Sequence, residues 1–203
     1  MKSRNLSALA FLPLLLGFLI PGTAMATGPE RPIPGNPKTL IETSQGNITL
    51  ELEPQKAPLT VENFLQYVRD SHYDGTIFHR VIKGFMIQGG GYDARFKKLP
   101  TRPPIENEAA NALSNKRGTI AMARTSNPHS ATAQFFINTV DNPHLDFHAP
   151  TPVSWGYAAF GKVIEGMDTV DRIGKLPTGG GGPFRSDVPK PVVEIKHVFI
   201  LSQ

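Results

Sequence analysis

Arg80 stands eight residues before Gln88, with Phe85 and Met86 between them, and Gln134 runs directly into Phe135 and Phe136. Twice, a long hydrogen-bonding side chain is set among aromatic and apolar ones. That combination can hold an apolar ring and engage a neutral amide, but it offers no nucleophile and no acid/base pair. His79, alternating away from Arg80, fits a core or surface histidine better than a general base. His144 and His148 lie four apart with His129 upstream, which makes a metal site conceivable. They flank Leu145-Asp146 in a proline-rich loop rather than on a helix, so no metal is assigned. Cysteine is absent, removing disulfides, thiol nucleophiles, cysteine-rich zinc sites and acylated lipoprotein cysteines. No Gly-x-Ser-x-Gly turn, phosphate loop or dinucleotide fingerprint occurs; the glycines at 89–91 and 179–182 lack the spacing and the following helix. No cofactor is expected.

The elements that must position these residues are short. Residues 78–82 and 85–88 are runs of β-branched and aromatic residues joined by Lys83-Gly84, a hairpin pattern. Alternation assigns Phe78, Arg80 and Ile82 to one face of the first strand, and Met86 and Gln88 to one face of the second. Taken alone, this is an edge hairpin whose arginine and glutamine face water. Residues 40–43 and 47–52 read as strands around Ser44-Gln45-Gly46, with Ile48, Leu50 and Leu52 on one face. Pro58 opens a helix striped by Val61, Phe64, Leu65 and Val68, with Glu62 in its first turn and Arg69 near its end. Residues 92–116 form a long polar loop wrapping the surface. Strands are expected at 118–124, 134–137, 155–163 and 191–201, a short helix at 165–173 through Met167, Val170 and Ile173, and a four-glycine loop at 179–182. Seven or eight strands with two helical patterns indicate a mainly β fold, an antiparallel barrel or sandwich.

The 39% apolar content supports one sizeable core, and 19 glycines with 19 prolines favour many turns. Residues 1–26 have a basic start, an apolar stretch at 8–20, a break at Pro21-Gly22 and small residues at Ala24 and Ala26. This is the layout of a secretory signal peptide cleaved after Ala26. A retained anchor is the competing reading, but 13 apolar residues interrupted by Pro13 fall short of the ~20 that span a bilayer. A periplasmic location is expected, without membrane attachment after cleavage. Residues 27–37 are a proline-rich lead-in, and 38–203 form one domain with no internal repeat. Without Lys2 and Arg4, the 21 basic residues fall to 19 against 17 acidic ones. That balance, with no basic cluster, argues against nucleic acid as a partner. Nothing demands a second subunit, so a monomer is expected.

A pocket able to grip a ring and an amide, but not to cleave a bond, suits rotation about an Xaa-Pro bond, whose barrier of ~18–20 kcal/mol arises from amide resonance. Residues 78–90, from Phe78-His79-Arg80 through Gln88-Gly89-Gly90, resemble the signature of the cyclophilin family of peptidyl-prolyl isomerases. Ala121-Met122-Ala123-Arg124, Gln134-Phe135-Phe136-Ile137 and residues 157–163 resemble its later blocks, in the family's order, and the whole is similar to exported bacterial members. The resemblance implies an eight-stranded closed antiparallel barrel capped by two helices, acting on proline-containing unfolded or partly folded polypeptides. It places Arg80 as the catalytic arginine, Phe85 as the pocket floor, and Gln88 and Met86 on its flank. Ala123, Arg124 and Thr125 match the segment that pairs with substrate backbone; Gln134 and Phe136 complete the pocket, with Leu145 and Tyr157 on the rim. His144 stands where many members carry tryptophan, and Tyr157 where they carry histidine, so the resemblance does not extend to tight binding of cyclosporin-type ligands. A barrel that grips proline segments without turning them over, a binding module or holdase, is the alternative.

Overall fold

The computed structural model describes residues 35–111 and 113–202. The expected leader at 1–26 and most of the lead-in at 27–37 lie outside them. Strands β1 (Lys38–Thr43), β2 (Gly46–Leu52), β3 (Thr76–Ile82), β4 (Met86–Asp93), β5 (Thr119–Met122), β6 (Phe135–Asn138), β7 (Ala159–Glu165) and β10 (Val193–Ser202) close an antiparallel barrel. Their order around the wall is β1-β10-β3-β4-β6-β5-β7-β2. The expected eight-stranded closed barrel with two helices is thus the observed fold.

Helix α1 (Pro58–Arg69) buries the stripe read from sequence, and Phe64 drives its packing. The Phe64 ring lies 5.2 Å from that of Tyr73, 5.8 Å from Phe135 and 5.3 Å from Phe160. Pro58 occupies the first turn, and Ala57 at the cap position contributes no side-chain hydrogen bond. Glu108 serves instead: its carboxylate accepts from the Leu59 and Thr60 amides and from the Thr60 hydroxyl, at 3.1, 2.8 and 2.7 Å. Glu62 lies beyond the first turn, not in it as expected, and pairs with Arg69 at 2.8 Å. Helix α2 (Met167–Gly174) buries Val170 and Ile173, with Met167 partly covered against the core.

Several boundaries also move. Strand β5 stops at Met122, leaving Ala123 and Arg124 outside it; Gln134 precedes β6; and β7 begins at Ala159 rather than Trp155. Of the four glycines expected as a loop, 179–181 instead form most of β8 (Thr178–Gly181), which pairs with β9 (Phe184–Pro189) as a separate hairpin, and Gly182 lies in the turn between them. Glycine let the tract pack closely: a Cβ on Gly182 would stand 2.3 Å from the Cβ of Phe96. The 92–116 segment does more than wrap the surface, since it supplies the Glu108 cap, the Phe96 ring and the buried Asn115.

Simple alternation along β3 fails at the most informative place. Phe78 pairs with Gly89, but Arg80 pairs with Gln88, so one extra residue, His79, is inserted on β3. Such a bulge re-aims side chains and is common beside active sites. Phe78 consequently turns into the core, edge-on to Phe135 at 6.1 Å, while Arg80 faces outward. Phe78 and Arg80 do not share a face, contrary to the expectation from a period of two.

Candidate active site

The bulge and the β3–β4 turn together build an open pocket of about 330 Å³ on the outer wall. Arg80, Phe85, Met86, Gln88, Ala123, Arg124, Phe136, Leu145 and Tyr157 line it. Register explains the convergence: Gln88 of β4 pairs with Phe136 of β6, and Phe136 with Ala121 of β5, so neighbouring strands present their outward residues to one spot. Met86, Phe136 and Leu145 are buried, forming an apolar bed with the partly covered Phe85, Ala123 and Tyr157. Arg80 rises over that bed with its side chain 44% exposed.

A short polar ladder fixes the arginine. Arg80 Nη1 donates to Gln88 Oε1 at 3.3 Å, and Gln88 Nε2 donates to Gln134 Oε1 at 3.0 Å. Gln134 lies close against Gly91, where a Cβ would stand 2.5 Å from its Cγ. Gln134, Thr125 and His144 are outside the lining itself. Thr125 is held by Ser130, whose hydroxyl accepts from the Thr125 amide at 2.9 Å. His144 stacks on Phe85, the rings 5.7 Å apart and 24° from parallel, while His129 packs edge-on against Trp155.

Behind the pocket are three buried asparagines that sequence reasoning passed over. Asn142 donates to the Phe85 carbonyl at 3.0 Å and to Asn138 Oδ1 at 2.7 Å, and Asn138 donates to Asn115 Oδ1 at 3.3 Å. Asn115 in turn donates to the carbonyls of Leu145 and Tyr157, at 3.1 and 3.2 Å. These amides are satisfied by one another and by backbone, which makes the connected network rigid in a low-dielectric interior. Floor and rim are therefore tied together. On the far side, Arg124 lies over the Tyr157 ring at 4.6 Å and donates to the Gly156 carbonyl at 2.8 Å, a cation–π clamp on the rim.

His79, displaced by the bulge, is buried against Tyr92 and Phe184, with ring centroids 4.8 and 5.3 Å away, and among the described residues its Nδ1 has no hydrogen-bond partner. Burial, helped by the adjacent Arg80 charge, pushes its pKa down to about 4. The unfolded chain takes up this proton near pH 6.5, the folded one only near 4. Between those values the unfolded state binds more protons, so stability falls as pH drops through the window, by up to about 3 kcal/mol. Urea midpoints at pH 7 and 4.5 check this, and His79→Phe should flatten much of the difference; an unchanged pH dependence in that variant would refute the assignment.

A closed barrel with a pocket on its outer wall that could hold a ring and a neutral amide is the arrangement the cyclophilin resemblance implies. Comparison with known proteins shows the family. The family model described as "Cyclophilin type peptidyl-prolyl cis-trans isomerase/CLD" matches residues 38–199. Peptidyl-prolyl cis-trans isomerase B of Escherichia coli is 53% identical over 160 residues, covering 79% of this chain and 97% of that protein. The peptidyl-prolyl cis-trans isomerase of Acinetobacter baylyi is 49% identical over 189 residues, covering 93% and 94% respectively. A crystal structure of a Cryptosporidium parvum cyclophilin-type isomerase superposes with a TM-score of 0.65 at 27% identity, covering 83% of this chain and 99% of that one. The same protein, crystallised in the presence of the dipeptide Ala-Pro, superposes with a TM-score of 0.64. The chain belongs to the family of cyclophilin-type peptidyl-prolyl cis-trans isomerases and is an isomerase of that type.

Proposed function

We propose that the outer-wall pocket is where isomerisation occurs, with Arg80 as the catalytic group, Phe85, Met86, Phe136 and Leu145 receiving the prolyl ring, and Gln88 holding the arginine. The single observation that carries this is the Arg80–Gln88–Gln134 ladder standing over an apolar bed. As the prolyl C–N bond twists, resonance is lost and the nitrogen becomes pyramidal and gains a lone pair. A guanidinium N–H can donate to that lone pair, a hydrogen bond that exists only when the amide is twisted, so it lowers the barrier without tightening the ground state. The apolar bed acts in the same sense, since a less polar surrounding disfavours the charge-separated planar amide. Ala123, Arg124 and Thr125 run alongside as the segment for substrate backbone, with Gln134, His144 and Tyr157 bounding it.

Titrating an Ala-Pro peptide into isotope-labelled protein tests the surface. Amide resonances of Phe85, Gln88, Ala123 and Phe136 should shift together, while those of Glu62 and Gln66 on α1 stay put; the reverse pattern would move the site elsewhere. The family relative crystallised with Ala-Pro supports the choice of peptide. We further propose that the physiological substrates are exported polypeptides still folding in the periplasm, since residues 1–26 have the make-up of a signal peptide. Recovered from the periplasm, the protein should begin at Thr27; an intact Met1 terminus in the cytoplasmic fraction would contradict export.

A further inference from the structure

We propose that Asp187, carried by the β8–β9 hairpin, is a positioning residue for Arg80. The inference rests on Arg80 being the catalytic group. A guanidinium this exposed samples many rotamers unless both of its ends are restrained. Gln88 restrains the Nη1 end. At the other end, Asp187 Oδ2 lies 3.9 Å from Arg80 Nε. At that distance the carboxylate attracts the cation without taking up an N–H in a hydrogen bond, so the donors stay available to a twisted prolyl amide.

The backbone at Asp187 points the same way. Its φ is +68°, a left-handed conformation sparsely populated by residues other than glycine, asparagine and aspartate. The residues packed around the hairpin hold it there. Here the surroundings are specific. Phe184 of β9 stacks on His79 at 5.3 Å and meets Tyr92 edge-on at 4.9 Å. Phe96 fills the space above Gly181 and Gly182, and Val188, next to Asp187, is fully buried. The bulge that turns Arg80 outward also sets His79 against this hairpin, so one irregularity in β3 both aims the arginine and docks the strand that bears its carboxylate partner.

Two variants separate charge from backbone. Asp187→Asn keeps the shape and tolerates positive φ, and Asp187→Gly removes the side chain without steric strain at that φ. Isomerisation of an Ala-Pro peptide, measured by NMR exchange, should slow about fivefold in each, a size suited to an exposed ion pair that orients a catalytic group. Peptide Kd should hold within about twofold. In an Arg80→Ala background the same substitutions should change the rate less than about twofold. Wild-type rates in both variants, with Arg80→Ala impaired, would overturn the role of Asp187 alone. An equal fivefold loss in the Arg80→Ala background would show a structural effect and overturn it too. Wild-type turnover by Arg80→Ala would overturn both the positioning role and the reading on which it rests.

Discussion

Arg80→Ala is expected to lower kcat/KM for an Xaa-Pro peptide about 100-fold while shifting Tm by no more than about 2 °C. The size follows from what is removed. One donor aimed at charge that develops only in the transition state is typically worth 10²–10³ in rate. The apolar bed would remain, and with it part of the acceleration. The small change in stability follows from where the side chain lies. The Arg80 side chain is 44% exposed, and among the described residues its carboxylate neighbour, Asp187, is 3.9 Å away and itself 37% exposed. A coupled peptide assay with thermal melts on the same preparations checks both halves. Turnover within threefold of the parent would remove Arg80 from the mechanism, and a collapsed Tm would make the loss of activity uninformative about chemistry.

Phe64→Ala is expected to cost about 4 kcal/mol of stability and about 10 °C in Tm. Phe64 is fully buried on α1, and its ring meets those of Tyr73, Phe135 and Phe160, so truncation leaves a cavity bounded by rigid aromatics that cannot collapse into it. Tyr73 is pinned by a hydrogen bond to the Ala133 carbonyl at 2.9 Å, which further limits relaxation. Phe135 lies between Gln134 and Phe136, so the loss should also loosen one wall of the pocket. Differential scanning calorimetry gives the answer directly: a decrease under about 3 °C would mean that the cavity closes and that α1 is not anchored through this ring.

Much of the fold was legible because its signals are local. The stripe on α1, the Lys83-Gly84 turn and the apolar face of β2 depend on residues close in sequence. Barrel closure was legible only through the number of strands and through the resemblance. What escaped depends on tertiary context. The bulge at His79 has no composition marker, so a period of two placed Phe78 beside Arg80 when they face opposite ways. The glycine tract carried no strand signal, because its pairing with β9 is stabilised by Phe96 from 85 residues upstream, through a contact that only a missing side chain permits. Among site residues, those on strands were fixed by register, whereas the asparagines behind the pocket were invisible as a network. Of these, only Asn115 falls in a repeating pattern, with Asn107 and Asn111 at four-residue spacing, and each of the three donates its side-chain amide to a backbone carbonyl of a distant segment. That spacing was the available hint.

We propose that Arg80 acts on the twisted amide rather than on binding. One NMR sample tests it: an Ala-Pro peptide with labelled protein, in which Kd is read from shift changes and the cis–trans rate from exchange between the two peptide signals. For Arg80→Ala the expected result is a Kd within about threefold of the parent and an exchange rate lower by about 100-fold, with the cis/trans ratio of the free peptide untouched. A rate that falls only in proportion to lost binding would contradict it.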